Sequence, residues 1–162
     1  MCLSEAKGMD ITMKYAVSAC LCGINCKYNG GNNYNEKLCE FLKNQEYITV
    51  CPECAGGLPV PRISSEIRGE KVISRTGEDV TEFFQRGAEK ELERVREAGA
   101  GTVILQPRSP SCGKGLIYDG TFTGTKIPGN GIFVRRLLEE GFDCLTVDEF
   151  LATYGTETDS KQ

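Results

Sequence analysis

The chain contains no histidine. A Cys–His nucleophile, a serine triad with histidine and every histidine-containing zinc site are therefore closed to it. Acid–base work falls to Glu, Asp, Lys, Tyr, Ser or water. Long apolar runs are also missing. Nothing approaches the roughly 20 apolar residues needed to span a bilayer, so no membrane partner is expected. The first dozen residues carry Glu5, Lys7 and Asp10 and lack a long apolar stretch. That argues against a secretory signal and for a cytoplasmic location. An excess of positive charge is lacking too: 19 Lys and Arg stand against 23 Asp and Glu, a formal net charge of −4. This balance weighs against nucleic acid as a partner, unaided tRNA binding included, while leaving room for a small basic pocket. Oligomeric state is not readable from the sequence.

What the sequence has in number is cysteine, nine in 162 residues. A disulfide framework fits poorly, because the count is odd, no export signal is visible and the cytosol keeps thiols reduced. Cys39, in a helical stretch, and Cys144, in a late strand, read as small buried hydrophobes. Cys2 falls in a loose terminus. Three others share a topological position. Cys20 follows a predicted strand over Lys14–Ala19, Cys51 follows one over Glu46–Val50, and Cys112 comes shortly after one over Thr102–Gln106. In an open parallel α/β sheet, ligands bind outside the carboxyl ends of the strands, so these thiols are expected to meet. Three thiolates around one point suit a metal or an iron–sulfur cluster. Three rather than four leave one coordination position open for chemistry.

Between these landmarks strand and helix alternate, which predicts a single α/β domain of three layers with a mainly parallel sheet. Residues 1–13 read as a flexible lead-in, 14–155 as the domain and 156–162 as a polar tail. A helix is expected over Tyr34–Lys43, with Leu38, Phe41 and Leu42 facing inward. An irregular stretch from Cys51 to Glu70 is too long for mere connection, which favours a functional role. Lys71–Ser74 reads as a short edge strand. The clearest helix runs from Asp79 to Glu97, with Asp79 and Glu82 at capping-box spacing and Gly99 at its end. Its inner face is Val80, Phe84, Ala88, Leu92 and Val95. A helix over Gly131–Glu140, a strand over Phe142–Thr146 and a helix over Val147–Tyr154 complete the pattern.

Three segments carry the chemistry. In Cys20-Leu21-Cys22-Gly23-Ile24-Asn25-Cys26 the thiols crowd just past a strand, yet the spacing is no standard ferredoxin or zinc-finger signature. In Cys51-Pro52-Glu53-Cys54 the C-x-x-C reads as a thiol–disulfide pair or half a zinc knuckle. The knuckle lacks its second half. The redox reading wants a helix N-terminus, against which Gly56, Gly57 and the prolines argue. Glu53 lies between two thiols and becomes the leading proton carrier beside a metal. In Ser109-Pro110-Ser111-Cys112-Gly113 the serines commonly serve only the turn. Gly129-Asn130-Gly131 at a helix start is a weak anion-site signal.

The segments VSACLCGINCKYNGG, CPECAGGLPVPR, GEDVTEFFQRGAE and SPSCGKGLIYDGTFTG followed by PGNGIFVRRLLEEG resemble, in order, the bacterial family catalogued as domain of unknown function 523. Its characterised members are thiouracil desulfidases. The resemblance covers about residues 14 to 145. It implies a Rossmann-like α/β fold and a [4Fe-4S] cluster held by Cys20, Cys51 and Cys112, with one iron free for the sulfur of a thiolated base. It also implies Glu53 and Ser109 as the acid–base pair. The expected activity is non-redox removal of sulfur from a small thiolated pyrimidine base or nucleotide, of thiouracil or thiouridine type, with release of hydrosulfide. Lys27, Tyr28 and Arg62 are candidates for positioning it. The chain departs from the family at Cys22, usually leucine, and Cys54, often valine. Extra thiols near an open iron keep two alternatives in view: a non-catalytic metal or Fe–S module with a fourth protein ligand, and a thiol–disulfide enzyme using Cys51 and Cys54.

Overall fold

The computed structural model describes residues 14–160, with side chains through residue 154. The expected lead-in, Cys2 and the last two residues lie outside it. Four parallel strands form the central sheet: β1 (Lys14–Ser18), β2 (Glu46–Val50), β5 (Thr102–Leu105) and β8 (Asp143–Thr146), in the order β2-β1-β5-β8. Central β5 is buried at every position and β1 at all but its first, as expected of strands covered on both faces. Two helices pack on each face. On one lie α3 (Thr81–Ala98) and α4 (Ile132–Glu139), burying Phe84, Leu92, Phe133 and Leu137 against Ala16 and Val103. On the other lie α1 (Glu36–Leu42) and α5 (Val147–Ser160), burying Leu38, Leu42 and Phe150 against Tyr15, Val17 and Ile104. This is the expected three-layer α/β fold with a parallel sheet. Each fully buried Leu or Phe contributes roughly 1.5–3 kcal/mol, so the two apolar layers supply the main stabilisation.

The chain leaves β1 toward β2 on one side and returns past β1 to β5 on the other. The switch point therefore lies between β1 and β5, where such sheets open a crevice at their carboxyl edge. In register, Ser18 pairs with Val50 and Val17 with Ile104, so the three strands end nearly level.

Several elements differ from expectation. Residues Pro52–Ala55 form a one-turn helix, α2, where none was expected. Proline is tolerated at the first helical position because the amide it lacks would be unpaired there. Gly56 does not break this turn but lets it approach α3. Asp79 is not the cap of α3. It accepts from the amide and hydroxyl of Thr81, at 3.0 and 2.6 Å, in a turn before the helix. The stretch expected to be irregular contains β3 (Ser65–Arg68), which pairs antiparallel with β4 (Lys71–Ser74). So Lys71–Ser74 belongs to its own hairpin, not to the edge of the main sheet. A second hairpin, β6 (Leu116–Tyr118) with β7 (Lys126–Pro128), went unexpected because three-residue strands are too short to show alternation. Glu66 ties the hairpins together, accepting from the amides of Gly120 and Phe122 at 2.9 and 3.1 Å. The last helix continues past Tyr154 to Ser160. Among the described residues no helix is long and apolar enough to cross a membrane.

Candidate functional site

Cys20, Cys51 and Cys112, the three strand-end thiols, line one cavity of about 530 Å³ together with Glu53 and Ser109. Each thiol arrives on a different local structure. Cys20 sits in a single 3-10 turn, Ala19–Cys22, continuing from β1. Cys51 caps α2. Cys112 ends the loop after β5, its sulfur sharing a hydrogen bond with Ser18, whose hydroxyl also accepts from the Gln106 amide at 3.0 Å. The ends of β1 and β5 are thereby stitched together in the lining of the cavity.

Glycine contacts set these loops. A Cβ on Gly87 in α3 would lie 1.7 Å from the Pro52 carbonyl oxygen, and one on Gly56 2.0 Å from that of Phe83. Backbone therefore lies on backbone where α2 meets α3. Glu91, buried in α3, accepts the Cys51 amide at 2.7 Å and pairs with Arg94 at 2.7 Å. The third loop is gripped by the start of α4. Gly131, Ile132 and Phe133 donate their amides to the carbonyls of Gly113, Pro110 and Ser111 at 2.7, 2.8 and 3.1 Å. These are the amides a free helix start would offer an anion, so the Gly129-Asn130-Gly131 segment holds the Cys112 loop instead.

The thiols differ in electrostatics. Hydrogen bonds from Cys26, then from Asn33, hold Cys20 below the ordinary thiol range against its burial. The Asn33 amide nitrogen lies 3.4 Å from the Cys20 sulfur, and its oxygen accepts from Lys27 at 2.9 Å, which fixes the amide's orientation. Cys51 is drawn down to about 6, chiefly by its hydrogen bond from Cys26. Cys26, donor to both, is pushed well up. Burial likewise raises Cys112. Among the described residues no three Cys, Asp or Glu side chains are gathered closely enough for a single metal ion. Soft sulfur donors spread around a cavity, with an N–H aimed at one of them, fit a larger thiolate-bound group such as an iron–sulfur cluster.

Glu53 is anchored at both oxygens. Arg62 donates to Oε1 through Nε and Nη2, at 3.0 and 2.8 Å, and Ser111 Oγ donates to Oε2 at 3.0 Å. Ser109 Oγ lies 2.9 Å from Ser111 Oγ. It accepts the amides of Ser111 and Cys112, both at 3.0 Å. With Ser111 directed at Glu53, Ser109 has only its proton left to give, either to Ser111 or to the cavity. Ser111 had no signal beyond its place in the SPSC turn, and Asn33 none at all. Arg62, a candidate for positioning substrate, is instead engaged with Glu53. Lys27 and Tyr28 do line the cavity, as do Arg75 and Arg108. Two extra thiols stay outside its lining. Cys22 hydrogen-bonds with Cys39 and packs against the α1–α5 layer, its thiol pushed up to about 12 mainly by burial. Cys54 turns toward Arg62 Nη1, at 4.0 Å, and burial pushes it up to about 11.

The 2-thiouracil desulfurase family model matches residues 15–149. The uncharacterised protein YbbK of Bacillus subtilis strain 168 is 40% identical over 143 residues, covering 82% of this chain and 95% of that protein. A solved structure, the [4Fe-4S]-dependent thiouracil desulfidase TudS (DUF523Vcz), superposes with a TM-score of 0.81 at 36% identity. The match takes in 88% of this chain and 99% of that one.

Proposed function

The chain belongs to the 2-thiouracil desulfurase family, and from that membership we propose a [4Fe-4S]-dependent desulfidase acting on a small thiolated pyrimidine of thiouracil type, base or nucleotide. Cys20, Cys51 and Cys112 are the proposed ligands. When bound, the cluster would supply a Lewis-acidic iron for the thiocarbonyl sulfur. The chain's own contribution is proton handling in a site without histidine. Glu53 is the general base: at Oε2 it takes a proton from the water that attacks the ring carbon. Arg62 holds the other oxygen, so the carboxylate keeps one orientation. Ser109, whose lone pairs are occupied by amides, acts as proton donor. Water oxygen replaces sulfur, hydrosulfide and a proton leave, and no electrons are exchanged. Lys27, Arg75 and Arg108 on the lining would favour an anionic substrate substituent.

The observation that carries this reading is the chain Arg62–Glu53–Ser111–Ser109 running beside the strand-end thiols. The test is anaerobic purification with assay of iron, sulfide and hydrosulfide release from thiouracil. Glu53→Gln should keep the cluster's absorption and lose about 10²–10⁴-fold in kcat, the usual worth of a general base. Full activity in that variant would move the base elsewhere. A thiol–disulfide enzyme has one observation in its favour, the placement of Cys51 at the start of α2. A colourless protein that cycles dithiols through Cys51 and Cys54 would select it.

A further inference from the structure

Of the eight cysteines among the described residues, a fourth also lines the cavity: Cys26. We propose that Cys26 is a reserve ligand of the cluster, its thiolate capping the iron that Cys20, Cys51 and Cys112 leave free and yielding that position to the substrate's sulfur. This rests on the function proposed above and adds a residue to it.

Three observations select Cys26 over the other extra thiols. It is 7% exposed and packs in one cluster with Cys20, against Cys51 and Cys54. It lines the same cavity as Cys20 and Cys51, packs against both, and its carbonyl oxygen lies 4.0 Å from the Cys51 sulfur, so it sits beside two proposed ligands. Cys22 and Cys54 do not line the cavity: Cys22 pairs with Cys39, and Cys54 lies behind Cys26, 3.9 Å from its carbonyl oxygen and 4.0 Å from Arg62 Nη1.

Its support also differs from that of the strand-end thiols. Cys26 stands on the loop after the 3-10 turn, where its amide donates to the Ile24 carbonyl at 2.8 Å. Its own carbonyl accepts from Arg62 Nη2 at 2.9 Å, from the guanidinium that holds Glu53. The backbone is thus pinned, so the thiol would enter and leave the cap position by a change of χ1 rotamer rather than by loop motion. A removable cap suits a cluster whose exposed corner would otherwise meet water and oxygen. In the exchange one iron–sulfur bond to Cys26 breaks and one to the substrate's sulfur forms. The Cys26 sulfur leaves with its electron pair and takes a proton from solvent. No electron moves.

The test compares anaerobically reconstituted wild-type protein with Cys26→Val and Cys26→Ser by iron content, Mössbauer spectroscopy and the decay of visible absorbance in air. All three should hold a full cluster. Wild type should show four similar sulfur-coordinated irons. In Cys26→Val one of the four should become distinct, and in Cys26→Ser it should shift differently because an oxygen ligand replaces sulfur. Decay in air should be several-fold faster in Cys26→Val. A wild-type spectrum that already contains a distinct iron, unchanged by Cys26→Val, would overturn the cap and leave the three-thiol site standing. Loss of the cluster in both variants would make Cys26 an obligatory ligand, which also overturns a reserve role. A wild-type protein that takes up no cluster would overturn the proposed function itself.

Discussion

At Glu53 two effects compete. Its pairing with Arg62 is favourable, but the two side chains are only 15% and 7% exposed, so both charges have lost most of their water. A buried pair of this kind adds little net stability, because desolvation offsets the attraction. Removing one partner is another matter, since the other is left buried and uncompensated. Arg62→Ala should therefore destabilise the fold by about 3–5 kcal/mol, read as a fall in the urea midpoint at unchanged slope. The pair is better understood as orienting the carboxylate than as holding the fold. Ser111 extends the same logic. It is 2% exposed and links Glu53 to Ser109. Ser111→Ala should lower kcat on the order of 10–100-fold, as loss of a hydrogen-bonded partner behind a ligand or base typically does. KM and iron content should stay near wild type, and Ser111→Thr should recover much of the rate.

At the scale of elements, the α2–α3 contact decides where two of the proposed functional side chains stand. Gly87 lies inside α3, where glycine-to-alanine would by propensity alone gain about 1 kcal/mol. The Cβ, however, would meet the Pro52 carbonyl oxygen at 1.7 Å, and backbone cannot swing aside as a side chain can. Overpacking of this kind costs roughly 1–3 kcal/mol or more, so the clash should win. Gly87→Ala should displace α2, with Cys51 and Glu53 on it, and reduce cluster retention and turnover together. Gly101→Ala, with nothing within 4 Å of the added carbon, is the control expected to change neither. These contacts also explain why part of the site could not be read in advance. The 3.6-residue periodicity of α3 was plain, and Phe84, Ala88, Leu92 and Val95 are buried on it as expected, while Val80 lies before the helix and Gly87 and Glu91 join the buried face. Gly56 and Gly87, 31 positions apart, carry no mark that they touch, so α2 was not expected and Gly56 looked like a helix breaker. Capping-box spacing at Asp79 was a true local signal for a turn, but Thr81 captured the carboxylate first.

Across the whole molecule, Leu, Phe, Val, Ile and Ala carry most of the burial in the apolar layers on either side of the sheet, and of the proposed ligands only Cys112 packs in them. Stripping the cluster with chelator should therefore leave far-UV circular dichroism unchanged and unfolding cooperative, unlike small domains whose metal is their core. The Tm should fall by roughly 2–4 °C for each kcal/mol of binding free energy lost, a relation that holds for chains of this size. Collapse of the secondary structure in the apoprotein would show that the site organises the sheet. The sequence by itself determined the four strands of the central sheet, the alternation that makes that sheet parallel, and the placing of Cys20, Cys51 and Cys112 at strand ends. Those depend on local periodicity and on the rule that crossovers bring carboxyl ends to one edge. Only the tertiary structure decided that Ser111 joins Glu53 to Ser109, that Arg62 faces inward, and that Cys26 rather than Cys22 or Cys54 lines the cavity. Such choices turn on side-chain direction in loops, where no period exists, and on contacts between segments whose separation along the chain records nothing of their distance in space.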